Sequence, residues 1–482
     1  MRSVLLGPLA VLLLPMALVA QCPDGTPPPC RGAAVRAVAP NSVAVLYFSN
    51  LSRDTNDAYL ADGLTEEIIE RLGSVQRLAV KSRYEVQQAR GRAPADVAAV
   101  GRTLNAAYLV TGTVQRGGTR VRVRVELIRA ATRVRVWGDQ FDEPNGDVLA
   151  IEAAIGRGVV EGVAGALLPA ERASLAFKPT TNAAAYDLYL RGRAAFERED
   201  QRTAIPLLQR AVAEDSTFAP AWALLASAWS ESADSWRPPR EAYPQALIAA
   251  RRAIALDSGL AEAWAALAPP TLSLDHDATR AERYARRAIA LAPGLPEAHV
   301  MLAFTQWALG RGRDAVDAAR AGWVLDSTAA LTTLYYRLSL ILAGDTATLR
   351  RHPAMASAPD AQIVLGECEA ARARTAGLRG SYGNGTYIRA LHCLGRTEAV
   401  AEVIDSMMAA RAQRYFNPYP VAVAWAIVGK RDSALAWLEH TLDDRTIWAI
   451  NLPFDPVWDP YRSDERFLAL MVRFGLPAAR VN

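Results

Sequence analysis

The sequence predicts an α+β amino-terminal domain followed by an all-α superhelix of stacked helix pairs. Two observations carry that expectation. Within YLVTGTVQRGGTRVRVRVELIRAATRVRVWGDQF (Tyr108–Phe141), apolar and charged residues alternate one for one, and the turn-forming RGGT and RAAT bracket the alternation. Further along, AIALDSGLAEAWAALA from Ala253 returns as AIALAPGLPEAHVMLA from Ala288, 35 residues later.

The first twenty residues, MRSVLLGPLAVLLLPMALVA, set an arginine ahead of an apolar run that ends in small residues. That is the layout of a secretory signal peptide over 1–20, with cleavage after Ala20 and delivery to the periplasm or cell envelope. Two alternatives stay open. One is an uncleaved membrane anchor, although Pro8 and Pro15 interrupt the apolar run. The other is a lipid on Cys22, preceded by Gln21 where a small residue is usual. If the segment is removed, the mature chain has no membrane span.

Residues 21–41 read as a Pro- and Gly-rich linker. In it, CPDGTPPPC holds Cys22 and Cys30 at the ends of a stiff loop suited to a local disulfide. Cys368 and Cys393 form either a second bridge or two buried thiols. No spacing matches a structural zinc site. The net charge of +4 provides no global field toward nucleic acid.

The α+β domain is expected over 42–170. NSVAVLYFSN (Asn41–Asn50) reads as a buried strand. YLADGLTEEIIERLG reads as a helix with Leu60, Leu64, Ile68 and Leu72 on one face and Gly73 as its stop. QRLAVKSRYEV suggests a strand running into a loop, and PADVAAVGRTLNA a helix opened by Pro94. Val121, Val123, Val125 and Leu127 alternate with Arg120, Arg122, Arg124 and Glu126, as in a half-buried antiparallel strand. The arginine stripe, with no aromatic residue interleaved, reads as a solvated face rather than a nucleic-acid surface. A closing helix carries Ile151, Ile155, Val159 and Val163. Together these blocks resemble the TolB-like, or FlgO-like, amino-terminal domain over about 130 residues. The resemblance implies an α/β module of envelope and signalling proteins, often beside helical repeats, with no catalytic residue to carry over. No kinase, nucleotide-loop or helix-turn-helix pattern accompanies it.

The repeated segments begin at Ala211, Ala253, Ala288 and Gly322, so their intervals are 42, 35 and 34 residues. The first becomes 34 if the proline-bearing loop from Ser232 holds about eight extra residues. A 34-residue helix–turn–helix period is that of tetratricopeptide (TPR) repeats. Small residues are expected where paired helices touch: Gly192, Ala204 and Ala211, then Ala226, Ala246 and Ala253. Trp222 and Trp264 fill one slot between repeats, shared by Leu188 and His299. Repeats are expected over 183–344, and degenerate hairpins with a carboxy-terminal cap over 345–482, where Gly395 and Gly429 mark the same turn and Trp458, Phe467 and Leu470 close the end.

No catalytic, metal or cofactor-binding residue is expected. Asp275–Asp277 (DHD) reads as an acidic turn, His299 as a packed residue, Gly380–Gly385 (GSYGNG) as a flexible inter-helix loop, and Glu66–Glu67 as too divergent on a helix to face one another. Binding is the better expectation. Tyr189, Arg193, Phe304 and Trp307 occupy groove positions for a protein or peptide partner, with inter-repeat packing an equal reading for the last two. The functional expectation is a non-enzymatic exported interaction scaffold; the rival is a sensory or regulatory module whose effector is on another chain.

Overall fold

The computed structural model describes residues 38–87, 96–144, 147–378 and 380–477. The amino-terminal part is a mixed sheet in the order β3-β1-β4-β5-β6. Strands β1 (Ser42–Val45), β3 (Ala79–Val80) and β4 (Tyr108–Gly117) run parallel, whereas β4, β5 (Arg120–Arg129) and β6 (Val134–Pro144) form an antiparallel meander. The stretch read as one strand is split. After β1 the chain steps away and re-pairs with β4 as β2 (Ser49–Asn50). Gly112 lies opposite the step, where a Cβ would meet the Phe48 ring at 2.8 Å.

Along β5 every second residue is buried, from Val121 to Leu127, against helices α1 (Ala58–Gly73) and α4 (Val148–Ala164). Its arginines face solvent and pair across the ladder: Arg120 and Arg122 with Asp142, and Arg124 with Gln140. Two local expectations need correction. The segment after β3 turns into a short helix, α2 (Arg83–Gln87), because Ser82 and Glu85 bond reciprocally at its start. Helix α3 (Val97–Leu104) begins at an Asp96 cap that accepts from Ala99 N, whereas Pro94 lies outside the described residues.

Helix α5 (Pro169–Ala176) leads into paired helices: α6 (Ala183–Glu197) with α7 (Gln201–Glu214), then α8 (Ala219–Ser232) with α9 (Pro239–Leu256). The third pair is α10 (Ala261–Ala266) and α11 (Ala268–Asp275), a first helix broken at Leu267, against α12 (Ala278–Leu291). The fourth is α13 (Pro296–Ala308) with α14 (Gly312–Leu325), followed by α15 (Ala330–Leu342). This is the TPR-type superhelix. The 42-residue interval arises from a six-residue loop, 233–238, and from α9 being longer than α7 or α12.

The period is written in hydrogen bonds as well as letters. Asp215, Asp257 and Asp326 each accept from the backbone N–H two residues on, holding the turn between repeats. Six residues after that turn's start, Trp222 Nε1 donates to Ser216 O and Trp264 Nε1 to Ser258 O, while His299 Nε2 lies 3.0 Å from Pro293 O. The turn within each pair also recurs: Gly310, Gly344, Gly366, Gly395 and Gly429 are all left-handed at helix ends. At the helix contacts Ala204, Ala211, Ala226, Ala246 and Ala253 are inaccessible, and a Cβ on Gly192 would strike Leu208 at 2.7 Å.

Beyond α15 the helices shorten through Thr346–Arg351, Pro353–Ala356, Pro359–Val364 and Cys368–Thr375. They lengthen again at Ser381–Cys393, Thr397–Gln413, Pro418–Ile427 and Arg431–Asp443. GSYGNG is therefore helical from Ser381 and not a loop. Gly383 serves packing, since a Cβ there would sit 2.6 Å from Leu378 Cβ, whereas Gly380 takes a positive φ of 97° just before the helix. Cys368 and Cys393 are joined as a disulfide with Cα atoms 6.0 Å apart, whereas Cys22 and Cys30, like the 1–20 segment, lie outside the described residues. The terminal helix Glu465–Arg473 packs Phe467 on the fully buried Trp458, rings 5.8 Å apart.

Candidate functional site

Tyr189 and Arg193 stand one turn apart on α6, on a face occupied from within the chain. Helix α1 lies across it. Gly63 permits the approach, since a Cβ there would meet Leu190 at 2.8 Å. Arg193 reaches two adjacent acids of α1, with Nε 2.9 Å from Glu66 and Nη1 2.6 Å from Glu67. Glu66 and Glu67 diverge on their helix, as expected, yet one planar guanidinium spans them. Tyr189 OH donates to Glu67 Oε1 at 3.3 Å.

The same contact extends in both directions. Glu152, fully buried on α4, accepts from Tyr186 OH of α6 at 2.5 Å and from Arg71 Nη2 of α1 at 3.2 Å. Arg83, on α2, stands 3.0 Å from Glu197 at the end of α6 and 3.5 Å from Glu297 at the start of α13. Tyr59 OH donates to Asp187 at 2.6 Å. Carboxylates outnumber guanidiniums, because Glu70, Glu231 and Glu262 also face this region electrostatically.

That imbalance sets the proton affinities. Burial, reinforced by the Glu70 carboxylate and only partly offset by Arg193, pushes Glu67 up to about 8. Burial pushes Glu152 up to about 7 against the pull of Tyr186 and Arg71. Glu197, shielded by its surroundings and beside Glu66, also rises to about 7. Glu66 goes the other way. Burial works against its charge, but Arg193 and Arg83 outweigh it and hold the carboxyl below its ordinary value.

Phe304 and Trp307 lie on α13. Phe304 is half-buried, edge-on to Tyr335 of α15 with ring centroids 4.4 Å apart. Trp307 is buried. Its Nε1 donates to Ser339 Oγ at 3.0 Å, and its ring meets Phe454 from the carboxy-terminal segment at 4.7 Å. Three of the four expected groove residues, Tyr189, Arg193 and Trp307, are thus engaged by the chain's own ends. The four are not brought together.

Around DHD, Arg280 pairs with Asp275 and Asp277, and His276 Nε2 lies 2.8 Å from Arg445 Nη1. Among the described residues no group of His, Cys, Asp or Glu is arranged to hold a metal ion, and no helix is long and apolar enough to cross a membrane. Sequence reasoning missed Arg83 and the acids it bridges. A signal existed: Glu197 and Glu231 are 34 residues apart and Glu262 and Glu297 are 35 apart, so each pair keeps the repeat's own period.

Comparison with known proteins places this geometry among remote likenesses. Residues 39–155 match the family described as HilA/YgeH-like transcriptional regulator, second domain. Over 187 residues the chain is 32% identical to "Putative adenylate cyclase 3" of Rhizobium meliloti (strain 1021), covering 38% of this chain and 32% of that protein. The chain therefore spans about a third of the curated relative it matches. Among solved structures, TolB of Acinetobacter baumannii is 15% identical over 26% of this chain and 28% of its own, with a TM-score of 0.20. PilF of Pseudomonas aeruginosa is 15% identical over 47% of this chain and 91% of its own, at 0.29. A tetratricopeptide repeat protein of Parabacteroides merdae ATCC 43184 is 10% identical over 60% and 98%, at 0.31. At these scores the structural likenesses bring neither partner nor activity to this chain.

Proposed function

We propose that this is a non-enzymatic protein-interaction scaffold of the bacterial cell envelope, built from a TolB-like domain over 42–170 and TPR-type repeats. The observation that supports it most is the stacked hairpins themselves. Each pair buries apolar residues against the next, so the stack presents a surface that no single hairpin could form. The first repeat and Trp307 are already covered in cis, so partner binding belongs on the remaining faces or follows release of α1 from α6.

Capture of partners with the full chain tests this reading. Truncation at residue 183 would bare Tyr186 and Tyr189 and create a sticky face. A specific, stoichiometric protein partner supports the scaffold; its absence under crosslinking conditions in envelope extracts counts against it. Fractionation with mass determination of the mature amino terminus tests export.

A regulatory module is the second reading, favoured by the stretch shared with a protein named as a cyclase. A small molecule that shifts the melting temperature of the full chain, without any protein partner, would move the balance toward it.

A further inference from the structure

The loop 233–238 between α8 and α9, the longest interruption in the early repeats, is held at its tip by the far end of the molecule. Asp234, buried and left-handed (φ 60°), accepts from Asn417 Nδ2 at 2.7 Å, Tyr415 OH at 3.1 Å and Ile447 N at 3.0 Å. Pinned in this way, the loop forms one wall of an open cleft of about 480 Å³. Trp236, Arg237, Arg240 and Glu241 line that side, and Arg411, Arg414, Tyr415 and Asp444 line the other.

Four guanidiniums meet two carboxylates here. Asp444 is buried and already held by Arg240 and by Arg411, the latter at 3.0 Å. Arg237 is fixed by aromatic faces instead of by acids, lying 4.5 Å from the Trp236 centroid and 5.1 Å from that of Trp229. Its Nε and the Trp236 Nε1 are buried donors with no acceptor among the described residues. Arg414 is exposed at the rim. With Asp444 already held by two guanidiniums, Arg237 and Arg414 leave the cleft with excess positive charge, which favours an oxyanion. Both arginines present forked donors suited to phosphoryl oxygens. Arg202 stacks on Trp236 as well, 4.2 Å from its centroid, so the indole is committed to guanidinium stacking, and recognition rests on the anion rather than on a nucleobase.

We propose that this cleft binds a free, small phosphate-bearing anion, through Arg237 and Arg414. Binding would tie the loop 233–238 to the helix Thr397–Gln413 and so brace the closure between early and late repeats. The proposal is independent of the scaffold reading.

Titration calorimetry of the full chain with inorganic pyrophosphate, at ionic strength matched with sodium chloride, tests it. One saturable site and a rise in melting temperature are expected. Arg414→Gln, at the exposed rim, should keep the unliganded melting temperature and weaken binding at least tenfold; Arg237→Gln should abolish it. No saturable heat, or equal affinity in Arg414→Gln, would overturn the proposal. Sedimentation with phosphatidylglycerol vesicles that depends on Arg414 would overturn the assignment to a free anion and point to a lipid headgroup.

Discussion

The chain closes on its helical repeats from both ends, and the two closures use charge in opposite ways. At the front, α1 meets α6 through an excess of carboxylates, so Glu67 and Glu152 sit well above their ordinary values. At the back, the buried acid Asp455 has a guanidinium of its own. Arg389 Nη1 lies 3.0 Å from its Oδ1 and Nη2 contacts Oδ2, while Tyr419 OH donates to Oδ2 at 3.1 Å and in turn accepts from Trp458 Nε1. Burial opposes the charge on Asp455, but Arg389 wins and its carboxyl is held below the ordinary range. Asp455 and Glu67 thus part ways through the guanidiniums within reach, whereas Asp234, bonded at the back by neutral donors, is pushed by burial up to about 7.

The largest effect should come from breaking the matched pair. Arg389→Met leaves Asp455 buried without its counter-charge and should cost about 3–5 kcal/mol of unfolding free energy, read from urea denaturation of the full chain. A loss below about 1 kcal/mol would mean that the back closure is held by apolar packing such as Trp307 on Phe454, and that the pair adds little.

The second prediction separates the closures by pH. A carboxyl raised in the folded protein keeps a proton there that the unfolded chain has already released, so its contribution weakens as pH rises. For Glu67, Glu152 and Glu197 that window runs from the ordinary 4.5 up to about 8. Asp455 contributes fully above its ordinary 3.8 and is lost only as pH falls below it. Amide exchange in α1 and α6 should accordingly speed up between pH 6 and pH 8, after correction for intrinsic rates, while the helix Glu465–Arg473, packed through Phe467 on Trp458, holds. Glu67→Gln should flatten the front response by on the order of 1 kcal/mol. A uniform pH response across both regions would defeat the comparison.

What the sequence shows and hides follows the same division. Elements set by short-range pattern were legible: the alternation of β5, the glycine stop of α1, the Gly395–Gly429 turn and the Trp222–Trp264 slot. Tyr189 and Arg193 read as groove residues of α6, and in the structure they face α1. What covers that face was not legible, because Glu66 and Glu67 lie more than a hundred residues earlier and nothing local ties them to Arg193. Gly383 misled for a related reason. Closely spaced glycines read as a loop, but here the missing side chain of Gly383 makes room for Leu378 against a helix.

A third test concerns the steric side of the front closure. Gly63→Ala puts a methyl 2.8 Å from Leu190 Cδ2, the far end of a flexible side chain. A cost of about 1 kcal/mol is expected as Leu190 shifts rotamer, seen as a lower melting temperature and faster exchange in α6. No change would mean that α1 is held off α6 by enough slack for the charges alone to set its position.

The smallest effect belongs to neither closure. Asp257 holds the turn before α10 by accepting from Gly259 N at 2.8 Å, as Asp215 and Asp326 do at their own turns. Asp257→Ala should cost about 0.5–1 kcal/mol, the value of one exposed turn bond. Because each repeat leans on its neighbours, that loss should appear in overall unfolding and leave the pH response of α1 and α6 untouched. If the substitution altered that response, the repeats would be transmitting a shift to the front closure, and the two ends of the chain could not be treated as separate devices.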